Sequence, residues 1–249
     1  MSDSTRSEVR EQIAQWLPRC RPETWDALAD LAHVSTFRRG ERIYRLGETV
    51  PVTMILSGYG IARLTTSTGL LIISGVAPAG APFGWSGLAQ ATSSVDMIAH
   101  TICRVAQWSG LDVRAIAARD PELALAAIDS MAFSLHAVVE QIEGYLHQNA
   151  RLRVLRILCR YRGLFFGDPP VLTRADLPGL VGTSREMTGR VVRQLEREGT
   201  LERFGRNGLR LLRPEHLDSD SLGANGLDST SRQRAQVPSS IDRSTTSRN

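Results

Sequence analysis

The apolar residues of this chain change period at Pro121, and few folds accommodate that change. Between Phe37 and Trp108 they come in short runs (MIL, IARL, LLIISGVA, MIAHTICRVAQW), broken by Gly- and Pro-bearing turns at about ten-residue intervals. Evenly spaced short strands predict a small antiparallel barrel or jelly roll. Beyond Pro121, Ile128, Leu135 and Ile142 fall seven apart, as do Met131, Val138 and Tyr145, and the two sets interleave at a three-four spacing. Such a stripe over roughly three heptads is the a/d pattern of a long helix. That helix either lies on its own barrel or pairs with a second copy. Strands followed by helices make an α+β chain.

The flanks fill in the organisation. Residues 1–21 read as an N-terminal extension. In PETWDALADLAH, Pro22 opens a helix with Trp25, Leu28, Leu31 and Ala32 on one face. The segment 22–120 is then the roll and 121–148 the long helix. Asn149 can cap ARLRVLRILCRYRGLF, which opens a third unit over 149–217. After GDPP come two more helical patterns and a hairpin, LERF then LRLL, with Asn207-Gly208 in the turn. From 218 to 249 the chain is rich in Ser, Thr and Gly, and reads as a disordered tail.

Charge separates these units. Residues 149–217 hold fourteen Arg and seven Asp or Glu, hence +7; since the whole chain carries +4, the remainder sums to −3. A basic patch of this kind suits a phosphate backbone. All thirty basic residues are Arg, a bias that coding composition in a GC-rich genome explains. The polar start, the absence of an unbroken run of eighteen apolar residues and three scattered cysteines (Cys20, Cys103, Cys159) together suggest a cytoplasmic protein with no membrane partner.

Within the basic unit, a helix from a Thr173 cap to Val181, a turn at Gly182 and a second helix from Thr183 or Ser184, followed by the hairpin, predict a winged helix-turn-helix. On the second helix Met187, Val191 and Leu195 are expected to face the core. The opposite surface carries Arg185, Glu186, Gly189, Arg190 and Arg193, with Gly189 leaving room for close approach. Arg can bond guanine O6 and N7 together and Glu can accept from cytosine N4, each good bidentate pair giving about 1–3 kcal/mol of discrimination. Glu186 has two other roles open to it: a capping box with Thr183, or an i,i+4 pair with Arg190 worth about 0.2–0.5 kcal/mol. Pro178 would cost up to about 3 kcal/mol inside a helix. Either the first helix starts later than Thr173 or it is kinked.

The stretch GTSREMTGRVVRQLEREG resembles the recognition helix of the cyclic AMP receptor protein/Fnr superfamily, in the form S-R-E-x-x-x-R. FRRGERIYRLGE and ILSGYG resemble the glycine-punctuated strands of that family's N-terminal roll, and the likeness covers about residues 22–213. The resemblance implies a cyclic-nucleotide-binding-type β-roll (a jelly roll), a long dimerisation helix and a C-terminal winged helix-turn-helix. It places Arg185, Glu186 and Arg190 on base-contacting positions, and Thr173 and Ser184 on phosphate-contacting ones. It turns the heptad stripe (Ile128, Met131, Leu135, Val138, Ile142, Tyr145) into a parallel homodimer seam. Double-stranded DNA is the implied partner, with RNA polymerase as another if the protein is an activator.

In cyclic-AMP-binding members the roll carries G-E-L and, about ten residues later, R-S. Here the stretch is PFGWSGLAQATSSVDMIAH: Gly84 is retained, Trp85 takes the Glu position ahead of Ser86, and Ser93 and Ser94 stand where Arg-Ser would be. Val138 and Val139 replace the two hydroxyl residues that meet the adenine. Losing the charge-assisted bond to phosphate removes about 1.5–3 kcal/mol, and an indole obstructs the ribose position. Cyclic AMP in the standard pose is therefore not expected in this candidate effector pocket. Trp85 is otherwise read as core packing. Three scattered cysteines do not make an iron–sulfur site. His33, His100, His136 and His147 present no argued haem ligand, and no metal site is expected.

No GxxxxGK[ST], HExxH or GxSxG occurs, so an enzyme is not expected. The sequence reads as a bacterial transcriptional regulator that binds an inverted repeat as a homodimer. The alternatives are a cyclic-nucleotide-type module acting on a partner protein, and a DNA-binding regulator that needs no effector.

Overall fold

The computed structural model describes residues 2–205 and 207–217; Arg206 in the hairpin turn and the tail expected over 218–249 lie outside the described residues. In the N-terminal extension, residues 1–21, no element was expected from the sequence. Asp3–Trp16 form a helix, α1, whose N-cap Ser2 accepts from the Thr5 amide at 3.3 Å. Val9 and Ile13, four residues apart on one face, are buried with Leu17 in the core. Arg10 Nε donates to Asp26 Oδ1 at 2.6 Å, and Arg6 pairs with Asp30, tying α1 to α2 (Pro22–Leu31).

Eight strands follow the expected spacing: β1 (His33–Phe37), β2 (Arg42–Tyr44), β3 (Val52–Ser57), β4 (Tyr59–Thr65), β5 (Leu71–Pro78), β6 (Pro82–Phe83), β7 (Asp96–Ala99) and β8 (Cys103–Trp108). They form two four-stranded sheets, ordered β1-β8-β3-β6 and β2-β7-β4-β5, with every pairing antiparallel. Side chains alternate across a strand, so β3 and β8 serve two cores. Ile55, Cys103 and Val105 pack inward with Ile43, Tyr44, Met97 and Ala99. Val52, Met54, Leu56, Ala106 and Trp108 face α1 and α2, where Trp108 Nε1 donates to the Leu28 carbonyl at 2.6 Å.

After α3 (Gly110–Ala117) comes α4 (Pro121–His147). Its start is held by Asp120, whose side chain is 3% exposed. That carboxylate accepts from Thr24 Oγ1 at 2.6 Å, Arg21 N at 3.0 Å and Glu122 N at 3.2 Å. Burial pushes the Asp120 pKa upward, but these hydrogen bonds outweigh it and the net shift is downward. The first turns bury Leu123 and Ala127. Further along, Leu125, Ile128, Met131, Leu135, Val139, Ile142 and Leu146 are exposed on one side. By length and composition α4 is long and apolar enough to cross a bilayer, although no unbroken apolar run of eighteen exists. Its opposite side, with Ser130, Ser134, Gln141 and Gly144, faces a cleft against the roll.

Asn149 caps α5 (Ala150–Arg160), accepting from Leu152 N at 2.9 Å. Then come α6 (Arg162–Phe165), α7 (Leu177–Val181), α8 (Arg185–Arg197) and the hairpin β9 (Leu201–Phe204) with β10 (Gly208–Leu211). This is a winged helix-turn-helix. Pro178 is resolved by a later start: it occupies the first turn of α7, where a missing amide costs nothing. The core of this unit (Val154, Leu158, Leu177, Leu180, Val192, Leu195) is continuous with Ile61, Ile73 and Ile98 of the second sheet. Where α7 packs on β5, Gly179 leaves room for Ile73, and His100 Nε2 lies 2.9 Å from the Val171 carbonyl oxygen.

Asp120→Asn should cost about 1.5–3 kcal/mol, the range for hydrogen bonds to a charged group, read as a lowered urea midpoint. Because the folded-state pKa is depressed, the contribution is present above the ordinary Asp value of about 3.9. It is lost as pH falls through the folded value, so the two proteins should converge in stability in acid.

Candidate nucleic-acid interface

The turn between α7 and α8 sets the site. Gly182 has φ +65°, and a Cβ there would fall 2.7 Å from Tyr145 Cε1 of α4. Its N–H bonds back to the Pro178 carbonyl oxygen, closing α7. The chain re-enters helix at Ser184, whose Oγ accepts from Met187 N at 3.1 Å. Ser184, rather than Thr183, is the N-cap, so Glu186 is not in the reciprocal position of a capping box. Thr188, Val191, Val192 and Leu195 are buried, whereas Met187 is 38% exposed. Placing Met187 inward was therefore incorrect: Thr188 goes in instead, its hydroxyl donating to the Ser184 carbonyl at 3.0 Å.

The outward face of α8 brings together Ser184, Arg185, Glu186, Arg190 and Arg193, all exposed. Gly189 lies between them, and a Cβ there would approach only Arg193 Nη1, at 3.5 Å. Arg190 Nη2 donates to Glu186 Oε1 at 2.8 Å. Both side chains are mostly solvated, so the pair is worth only a few tenths of a kcal/mol. Thr173 stands at the entry to α7, half-buried; its N–H and Oγ1–H both donate to Asp176 Oδ2, at 2.8 and 2.9 Å. The wing is anchored on both sides. Arg203 N and Nε donate to Glu196 Oε1 of α8, and Arg174 N donates to the Asn207 carbonyl in the hairpin turn.

The effector-pocket residues do not converge. Gly84 has φ +79° and a Cβ there would sit 2.3 Å from the Pro51 carbonyl oxygen, a backbone reason for glycine. Trp85 is buried in the core beside Val52 and Trp108, its indole N–H on the Pro82 carbonyl at 3.2 Å. Ser86 and Ser94 are exposed, and Ser93 Oγ donates to the Val95 carbonyl at 2.6 Å. Val138 lines the cleft and Val139 belongs to the exposed side of α4. The seam residues Ile128, Met131, Leu135, Val138 and Ile142 are exposed along α4; Tyr145 turns towards the cleft, where Gln141 Nε2 donates to its hydroxyl at 2.8 Å.

That cleft, about 570 Å³, lies between the β4-β5 side of the roll, α4 and α5. Three arginines of α5, Arg153, Arg156 and Arg160, line it. Sequence reasoning counted them only towards the basic total; their three-four spacing, which puts them on one helix face, was the available signal. Among the described residues, no group of three or more His, Cys, Asp or Glu could hold a metal ion.

Residues 152–219 match the family described as the Crp-like helix-turn-helix domain. Among solved structures the chain is similar to FixK2 from Bradyrhizobium japonicum, at 21% identity over 78% of this chain and 98% of that one, with a TM-score of 0.67. It is also similar to CLP of Xanthomonas campestris, a c-di-GMP-responsive global regulator linking cell–cell signalling to virulence gene expression (20% identity, 78% and 100% covered, TM-score 0.65). A third is a CRP-family transcriptional regulator from Thermus thermophilus (21% identity, 79% and 100% covered, TM-score 0.62). At these identities the likeness is one of fold. No curated protein matches the chain by sequence.

Gly182→Ala should destabilise the protein by about 1–2 kcal/mol from the left-handed backbone alone, and further through the Tyr145 ring. Urea denaturation followed by tryptophan fluorescence measures it.

Proposed function

We propose that this chain is a DNA-binding transcriptional regulator of the Crp/Fnr type and that it binds an inverted-repeat operator as a homodimer with α8 in the major groove. The observation that carries this reading is the outward face of α8. Ser184, Arg185, Glu186, Arg190 and Arg193 are solvated together while Val191, Val192 and Leu195 hold the helix from behind. Such a regulator acts by binding DNA in the cytoplasm and not by catalysis. Arg185 and Arg190 take guanines and Glu186 the opposed cytosine, in a GTGA-like half-site. The Glu186–Arg190 pair does not oppose this. Opening an exposed pair costs about 0.2–0.5 kcal/mol, and one bidentate arginine–guanine contact returns about 1–3 kcal/mol. Ser184, Thr173 and Arg193 contact phosphates, the Thr173 hydroxyl turning from Asp176 to do so, and Gly189 lets the backbone approach.

The dimer forms along α4, where Ile128, Met131, Leu135, Val138 and Ile142 present an apolar seam to water in the single chain. Half-site centres then lie about one helical turn apart, roughly 34–36 Å. Cyclic AMP in the standard pose is not the effector: Trp85 fills core space and Ser93 is bonded within its own turn. If the protein activates transcription, RNA polymerase is the further partner.

Two measurements test this reading. Selection of bound duplexes from random DNA, with and without cyclic AMP, should return the same inverted repeat. Arg185→Ala should then cost about 1–3 kcal/mol and relax preference at one base pair only; uniform weakening on all operators would make Arg185 a backbone contact. Separately, Leu135→Asp with Ile142→Asp should give monomers by sedimentation, since a dimer would bury unpaired charge. A dimeric double mutant would remove α4 as the seam.

A further inference from the structure

Helix α8 carries one large apolar side chain that its own fold does not use. Met187 is 38% exposed, while Val191, Val192 and Leu195 of the same helix are buried. Among the described residues it belongs neither to the apolar core of the winged helix nor to the partly buried side chains packed on that core. It has no place in the cleft beside α4 either. The next position goes inward instead, filled by Thr188 at 2% exposure. The larger apolar residue is thus left in water and the smaller polar one is buried, the reverse of what packing alone favours.

Its neighbours on the helix define what it can meet. Residues three and four apart on a helix surface adjoin, so Met187 stands between Ser184 in the turn before and Arg190 in the turn after. Its N–H is held by Ser184 Oγ at 3.1 Å, which fixes the backbone from which the side chain leaves. Arg190 reaches the other way, to Glu186 Oε1 at 2.8 Å, rather than across Met187. The other exposed side chains of these turns, Ser184, Arg185, Glu186 and Arg190, offer hydrogen bonds or charge. Met187 offers a flexible, polarisable apolar surface. In a major groove the base edges present hydrogen-bonding groups and one apolar group, the thymine C5-methyl.

We propose that Met187 is a specificity-determining residue that packs on a thymine methyl in each half-site, at a base pair adjoining the one Arg190 reads. This rests on the reading of α8 as the helix in the major groove, and extends it to a residue outside the set of hydrogen-bonding base readers. Arg185, Arg190 and Glu186 select G·C pairs, whereas Met187 sets an A·T pair beside them. An unbranched thioether suits that contact, because it follows the methyl without a fixed rotamer.

The test deletes the methyl from the DNA. In the operator selected by the full chain, each thymine is replaced in turn by deoxyuridine, which lacks the C5-methyl and keeps every hydrogen-bonding group. Binding is followed by fluorescence anisotropy. One thymine, beside the base pair at which Arg190→Ala relaxes preference, should respond with about fourfold weaker binding per half-site, equivalent to about 0.8 kcal/mol for one buried methyl-sized group. In Met187→Ala the thymine and deoxyuridine operators should bind alike, and Met187→Leu should keep the difference. The proposal is overturned if no thymine responds, or if the response is undiminished in Met187→Ala. Where Arg190→Ala still relaxes one base pair, that result removes Met187 alone; where Arg190→Ala changes no preference, the reading of α8 falls with it. Should Met187→Ala bind no operator, Met187→Gln, of similar length, decides. Equal binding of the two operators then supports the contact, and a retained preference for thymine overturns it.

Discussion

The structure depends on one helix that has to satisfy three environments at once. Asp120 fixes where α4 begins by accepting hydrogen bonds from both α2 and α4, so the helix leaves the roll at a defined point. Its first turns are core, one long side faces the cleft, and the other side is apolar and exposed. A helix with so much of its apolar surface in water is incomplete by itself. Fully burying a single Leu or Ile gains about 1.5–3 kcal/mol, so a few of these residues outweigh the exposed polar contacts elsewhere on the surface. The geometry of the DNA-binding unit follows, since Tyr145 near the end of α4 sits against the Gly182 turn.

Much of this arrangement was legible in the sequence, and the reasons are local. Pro121, Asn149 and the even strand spacing announce element boundaries through backbone chemistry that neighbours do not override. The failures share a different cause. The helix α1 has only Val9 and Ile13 to bury, four residues apart in an otherwise polar segment. What holds it is pairing across the chain, Arg10 with Asp26 and Arg6 with Asp30. Met187 was placed inward because Met187, Val191 and Leu195 repeat at four-residue spacing. On α8 it is instead 38% exposed, and Thr188 is tolerated inside because its hydroxyl donates to the Ser184 carbonyl.

The α5 arginines illustrate a limit of another sort. Their spacing puts them on one face, but the sequence cannot say what that face meets. Only the fold brings them to one cleft with Phe83 and Phe133, residues about seventy and twenty positions away in the chain. Trp85 is the converse: its place in a motif invited a ligand, and the core beside Trp108 accounts for it.

The apolar cluster of the winged helix runs without a break into Ile61, Ile73 and Ile98 of the roll. Cut free at residue 149, the C-terminal unit would turn the neighbours of Gly179 out to solvent, and the second sheet would lose its cover. Helix α8 is thus carried on a surface that belongs to both the winged helix and the roll. Its backbone amides should exchange with solvent in one cooperative block with those of the second sheet, because neither side can open without stripping the other. A substitution at Ile73, more than a hundred residues before α8, would be felt as slackness in that helix.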